Sequence, residues 1–145
     1  MIRIDREIDI ARPPEVVFDH LADVERFPQW QPAIERAEQV SPGPLGPGSQ
    51  LRLVLRGPTG PIEVLGEIVA IERPSLLALR TLSGPATVEA RCELRPEGVG
   101  TRAKFTASIE LKGLLRFAES PARAAIDREL PIALADLARR IESET

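Results

Sequence analysis

The sequence has no tyrosine, one histidine, one tryptophan, one cysteine and four phenylalanines, so aromatic side chains make up only 3% of its 145 residues. Each shortage narrows the chemistry. A lone Cys92 excludes an internal disulfide and leaves too few thiols for a structural zinc site. With His20 as the only imidazole, the acid–base group best suited to neutral pH is available once. Lys104 and Lys112 are the only amines among 19 basic side chains, the rest being arginine, so covalent catalysis through an amine is poorly provided for. No cofactor and no metal is expected. An excess of one charge is missing too: 22 acidic and 19 basic residues are well mixed along the chain, giving a net charge of -3. Without a basic stripe, nucleic acid is not an expected partner. No apolar run is long enough to span a bilayer, and Met1–Ile10 alternates charge with isoleucine instead of forming a leader peptide. The chain therefore reads as cytoplasmic, without stable membrane insertion, and its length suits a single domain over residues 1–145.

What is present is pattern. In Met1–Ile10, Ile2, Ile4, Ile8 and Ile10 fall on one face and Arg3, Asp5, Glu7 and Asp9 on the other, the period of a half-buried strand. Pro13 and Pro14 stop it and start a helix to about Ala22, in which Val17, Phe18 and Leu21 share a side. A second short helix over 24–27 is expected to end at Pro28. From Ala33 the chain reads as six further strands, about 33–41, 49–56, 61–73, 76–83, 86–95 and 101–112, separated by proline and glycine punctuation. Alternation is cleanest where Val88, Ala90, Cys92 and Leu94 oppose Glu89, Arg91, Glu93 and Arg95, which predicts one dry face and one wet. After Gly113 the period changes. Ser120 suits an N-cap with Pro121 at the first helical position, and Ile126, Leu130, Leu134, Leu137 and Ile141 form a helical stripe. Pro131 lies inside it and predicts a kink. A sheet with one dry face and one apolar-striped helix is solved by laying the helix across a curled sheet.

The stretch IDIARPPEVVFDHLADVERFPQWQP, Ile8–Pro32, resembles the opening of the START-like or SRPBCC superfamily, which includes polyketide cyclase/dehydrase-like and Bet v 1-like proteins. The matching residues are Ile10, Ala11, Pro14, Glu15, Val17, Phe18, Leu21, Asp23, Phe27, Pro28, Trp30 and Pro32, with a second match in the PEGVGTR turn, Pro96–Arg102. The resemblance implies an α+β helix-grip fold. In it a seven-stranded curved antiparallel sheet wraps a long C-terminal helix, with two short helices between strands 1 and 2. It also implies an apolar cavity for a small hydrophobic molecule.

Side-chain volume bears on whether such a cavity stays open. The inward positions include small residues, Gly66, Ala90, Cys92, Ala103 and Ala107, although interiors ordinarily close to high density. The candidate wall is Leu53, Leu55, Val64, Leu79, Val88, Ala90, Cys92, Phe105, Phe117, Ile126 and Leu130, with Trp30 as packing plug or ligand contact. The segment KGLLRFAES, Lys112–Ser120, is placed to act as a gate or as an ordinary apolar linker. His20 reads as a surface or boundary residue without a tuning partner, and Cys92 as an inert buried thiol. Arg80, Arg91, Glu63 and Glu67 read as solvated outer-face charges. Two functions stay open: binding or transport of a lipid, polyketide or isoprenoid-like molecule, and, as the resemblance permits, a cyclase or dehydratase-like enzyme using the same cavity. The second needs an inward acid, base or oxyanion donor, and the alternation places none. Neither ligand identity nor oligomeric state is legible.

Overall fold

A computed structural model describes residues 1–57 and 59–144. Strand β1 (Ile2–Ile10) leads into helix α1 (Pro14–Leu21) and a 3₁₀ turn (Val24–Gln29). Strands β2 (Ile34–Gln39), β3 (Gln50–Gly57), β4 (Gly60–Glu72), β5 (Leu76–Thr81), β6 (Ala86–Glu97) and β7 (Gly100–Leu111) follow. A second 3₁₀ turn (Gly113–Ala118) then runs into helix α2 (Glu119–Glu142). The strands form one antiparallel sheet in the order β1-β7-β6-β5-β4-β3-β2, so β1 closes onto β7 with Ile2 opposite Ile109 and Ile10 opposite Thr101. This is the helix-grip architecture that the Ile8–Pro32 resemblance implies.

Two expectations need correction. Ser120 is not the cap of the long helix: α2 begins at Glu119, preceded by Ala118, because the 3₁₀ turn delivers the chain already coiled. Nor does Pro28 end the second short helix. That turn extends to Gln29 and closes through the Trp30 and Gln31 amides, which both donate to the Phe27 carbonyl at 3.2 and 3.0 Å. Helix α2 is unbroken across Pro131.

Bulges between Ile34 and Arg36 and between Ile68 and Ala70 break the strict alternation of β2 and β4. The second leaves Val69 unpaired and 48% exposed. At Gly66 the inward face is crowded, since a Cβ there would sit 3.0 Å from Leu53 Cδ1 and 3.2 Å from the Arg80 carbonyl oxygen.

The core is not evenly distributed along α2. Leu130, Leu134, Leu137 and Ile141 are buried, and Leu137 and Ile141 fully so, whereas Ile126 is only half-buried and nothing N-terminal to it in the helix is buried. The C-terminal half of α2 belongs to the same buried cluster as Val17, Phe18, Leu21 and Phe27. Its N-terminal half spans the concave face without burying a side chain in it, tied at the β1 edge where Arg123 donates to the Met1 carbonyl at 2.8 Å.

Candidate functional site

Beneath that half of α2, the sheet and helix enclose a cavity of about 190 Å³. Its floor is the concave face of β3, β5, β6 and β7, with Leu53, Leu55, Leu79, Val88, Ala90 and Phe105 pointing inward on the dry parity of their strands. Its roof is Ile126 and Leu130 on α2 with the small Ala118 and Ala122 before them, and Trp30 forms an end wall. The alanines explain the void: a helix whose facing residues end at Cβ cannot reach a sheet that curves away from it. Half-buried Pro32 and exposed Ala33 and Arg56 frame one edge of the opening.

Three of the twelve wall candidates lie elsewhere. Val64 is buried, but beyond the cavity, against Gly84, where a Cβ would sit 2.5 Å from Val64 Cγ1. Cys92 is buried beside Leu77 and Phe105 in the closed core, and desolvation, with Glu93 adding to it, pushes its thiol above its ordinary range. Phe117 is 80% exposed. The reason is the period of the turn it occupies. With three residues per turn, Leu115 and Ala118 share the face that lines the cavity, and Leu114 and Phe117 share the face turned to water.

The wall also includes residues outside the candidate set. Ile2 and Ile4 of β1 and Ala107, Ile109 and Leu111 of β7 all line it. They sit on apolar faces that the period-two pattern already displays, so the signal was present. Leu115 and Ala122 carried no such signal, because their position depends on how the second 3₁₀ turn meets the sheet edge.

Charges sit where alternation places them, on the convex face. Arg80 bonds Glu67 at 2.7 Å, Arg91 bonds Glu93 at 2.7 Å, and Arg52 lies 2.9 Å from Glu63. His20 departs from expectation. Its ring is buried, with Nδ1 2.7 Å from Glu144 Oε1 and Nε2 2.8 Å from Gln29 Oε1, and Arg26 also binds Glu144, at 2.8 Å. Burial opposes charge on Glu144, but hydrogen bonds from His20 and Arg26 outweigh it and hold the carboxyl below its ordinary range. The cluster fastens the C-terminus to α1, and Arg12 adds a bond to the Glu144 carbonyl. It lies outside the cavity lining.

Trp30 is held from two sides. Its ring meets Phe27 edge-on at 5.5 Å and 71°, and Phe105 at 5.5 Å and 46°. Its indole nitrogen Nε1 and the neighbouring Gln31 Nε2 are buried without a partner among the described residues.

A bent antiparallel sheet clasping a striped helix around a hydrocarbon-walled hollow defines a helix-grip domain built to enclose small molecules. The chain belongs to the polyketide cyclase / dehydrase and lipid transport family, whose model matches residues 1–142. No curated protein matches it in sequence. Among solved structures it is similar to a Deinococcus radiodurans protein, at TM-score 0.77 and 16% identity over 98% of both chains. It is also similar to a START superfamily protein from Mycobacterium smegmatis, at TM-score 0.73 and 19% identity over 99% of both. A third is the Zhui aromatase/cyclase from Streptomyces sp. R1128, at TM-score 0.69 and 15% identity over 98% of this chain and 96% of that one. At these identities the likeness is one of fold.

Proposed function

We propose that this protein binds and carries a small hydrophobic molecule of lipid, polyketide or isoprenoid type in the cavity between α2 and the sheet. One observation carries the reading: a hollow of about 190 Å³ walled almost wholly by hydrocarbon. A dry apolar cavity of about 150 Å³ already admits benzene, and desolvation supplies roughly 25 cal/mol per Å² of guest surface buried. Carriage is favoured over turnover because no histidine, carboxylate, lysine or cysteine among the described residues lines the cavity, and the one buried imidazole is committed to Glu144 and Gln29. A cyclase acting in the same cavity would have to work through the polar side chains of its lining, Trp30, Gln31, Arg56, Thr81, Arg91 and Thr106. An unpaired, buried thiol suits work in the cytoplasm.

Organic extraction of the purified protein followed by mass spectrometry tests the proposal. An apolar molecule at near-stoichiometric yield is expected, and Ala107→Phe, which fills the hollow from β7, should lower that yield at least ten-fold. Equal yields from the two proteins would place the guest elsewhere and overturn the reading.

A further inference from the structure

We infer that the second 3₁₀ turn (Gly113–Ala118) docks the protein peripherally on an anionic lipid surface, with Leu114 and Phe117 entering the surface and Lys112 and Arg116 meeting its headgroup phosphates. The inference rests on the cavity being a carrier site and adds to it the surface that supplies or receives the guest.

A turn of period three has three faces, and here each is different. Leu115 and Ala118 line the cavity. Leu114 and Phe117, three positions apart and so on one face, are 86% and 80% exposed. Arg116 occupies the third face, with Lys112 just ahead of the turn, and both are exposed. A leucine and a phenylalanine held side by side in water differ from singly exposed apolar residues such as Val99, because adjoining apolar area gains by being covered. Charge decides what covers it. Arg116 Nε donates to the Gly113 carbonyl at 3.2 Å, and neither Arg116 nor Lys112 has a carboxylate partner among the described residues. Glu119, at the start of α2, is bound by the Met1 amine, and Glu110 takes the outward parity of β7, between the cavity-lining Ile109 and Leu111. The apolar face is therefore flanked by two free cations on a chain whose net charge is -3. An anionic bilayer repels such a chain as a whole and attracts it by this end, which sets its orientation. Two copies meeting through the same face would bring like charges together, which disfavours self-association there. Because Leu115 stands in the cavity wall on the turn that Phe117 anchors, a guest passes between lipid and cavity beside the turn with little exposure to water.

Co-sedimentation with phosphatidylcholine vesicles, with and without about one-third phosphatidylglycerol, tests this. The unaltered protein should bind the anionic vesicles at least ten-fold more tightly than the neutral ones, and the difference should shrink as salt is raised. Leu114→Ser with Phe117→Ser, and separately Lys112→Glu with Arg116→Glu, should each weaken binding to the anionic vesicles at least ten-fold. All four side chains are exposed, so thermal unfolding should stay unchanged. Val99→Ser, at a position 93% exposed at the other end of the β6–β7 pair, should bind as the unaltered protein does. Ala107→Phe should lose the extracted guest but keep its vesicle binding, so docking and carriage are read separately. The absence of a preference for anionic vesicles, or a Leu114/Phe117 double variant that binds them undiminished, would overturn the docking inference and leave the cavity reading intact. A double variant whose only loss is self-association in analytical ultracentrifugation would overturn it in favour of a second copy of the chain.

Discussion

At the scale of single residues, His20 and Glu144 show how the sequence pattern reaches its limit. The residues around His20 give an amphipathic helix turn and nothing else; its partner lies 124 positions away, so no local spacing reveals that the imidazole is buried and bonded. Glu144 titrates below the usual carboxylate range, so its contribution to stability is present above that range and is lost as the pH falls through the depressed value. Being partly exposed, the pair is worth little: Glu144→Gln should lower stability by about 0.5 kcal/mol at neutral pH. Thermal unfolding of the two proteins should converge only as the pH falls below that depressed value, where the glutamate carboxyl is neutral as well. A deficit that persists or grows in acid would mean that the carboxylate is not the stabilising form. Leu115 and Phe117 make the complementary point. Both are apolar members of the second 3₁₀ turn, whose period of three sends Leu115 to the wall and Phe117 to solvent.

Among elements, the strands were the most legible, because period-two alternation is a direct image of one dry and one wet face. Cys92 and Ala90 on β6, or Ala103 and Phe105 on β7, fall inward as the pattern requires. Helix α2 was legible as a stripe but not as two halves. Ile126 and Leu137 look alike in sequence, and only the curvature of the sheet separates a cavity roof from a closed core. Leu137→Ala should therefore cost about 2–5 kcal/mol in denaturant unfolding, and Ile126→Ala about 1 kcal/mol or less while enlarging the cavity. Similar losses from the two would contradict the division. The PEGVGTR turn has its own constraint at Gly100, where a Cβ would lie 2.6 Å from the Ile10 carbonyl oxygen across the β1–β7 pair. Since backbone cannot give way as a side chain can, Gly100→Ala should destabilise by about 1–3 kcal/mol, and hydrogen exchange should show the loss first in β1.

For the whole molecule, composition and architecture fit together. A chain with five aromatic side chains and many alanines cannot fill both ends of a curved sheet. It closes the end where Phe27, Leu134, Leu137 and Ile141 meet and leaves the other open beneath Ala118, Ala122 and Ile126. The fold class was readable from the change of period at Gly113 and from the Ile8–Pro32 motif. The cavity was readable only as a shortage of volume, since density in an interior is a property of three-dimensional approach. Xenon, which occupies dry apolar voids without needing a polar contact, tests the central claim directly. Diffraction from a crystal of the protein held under xenon pressure should reveal a bound atom between Leu53, Leu79 and Ala90 on the sheet and Ile126 on α2. Side chains packed through that space, with no xenon there, would contradict the account.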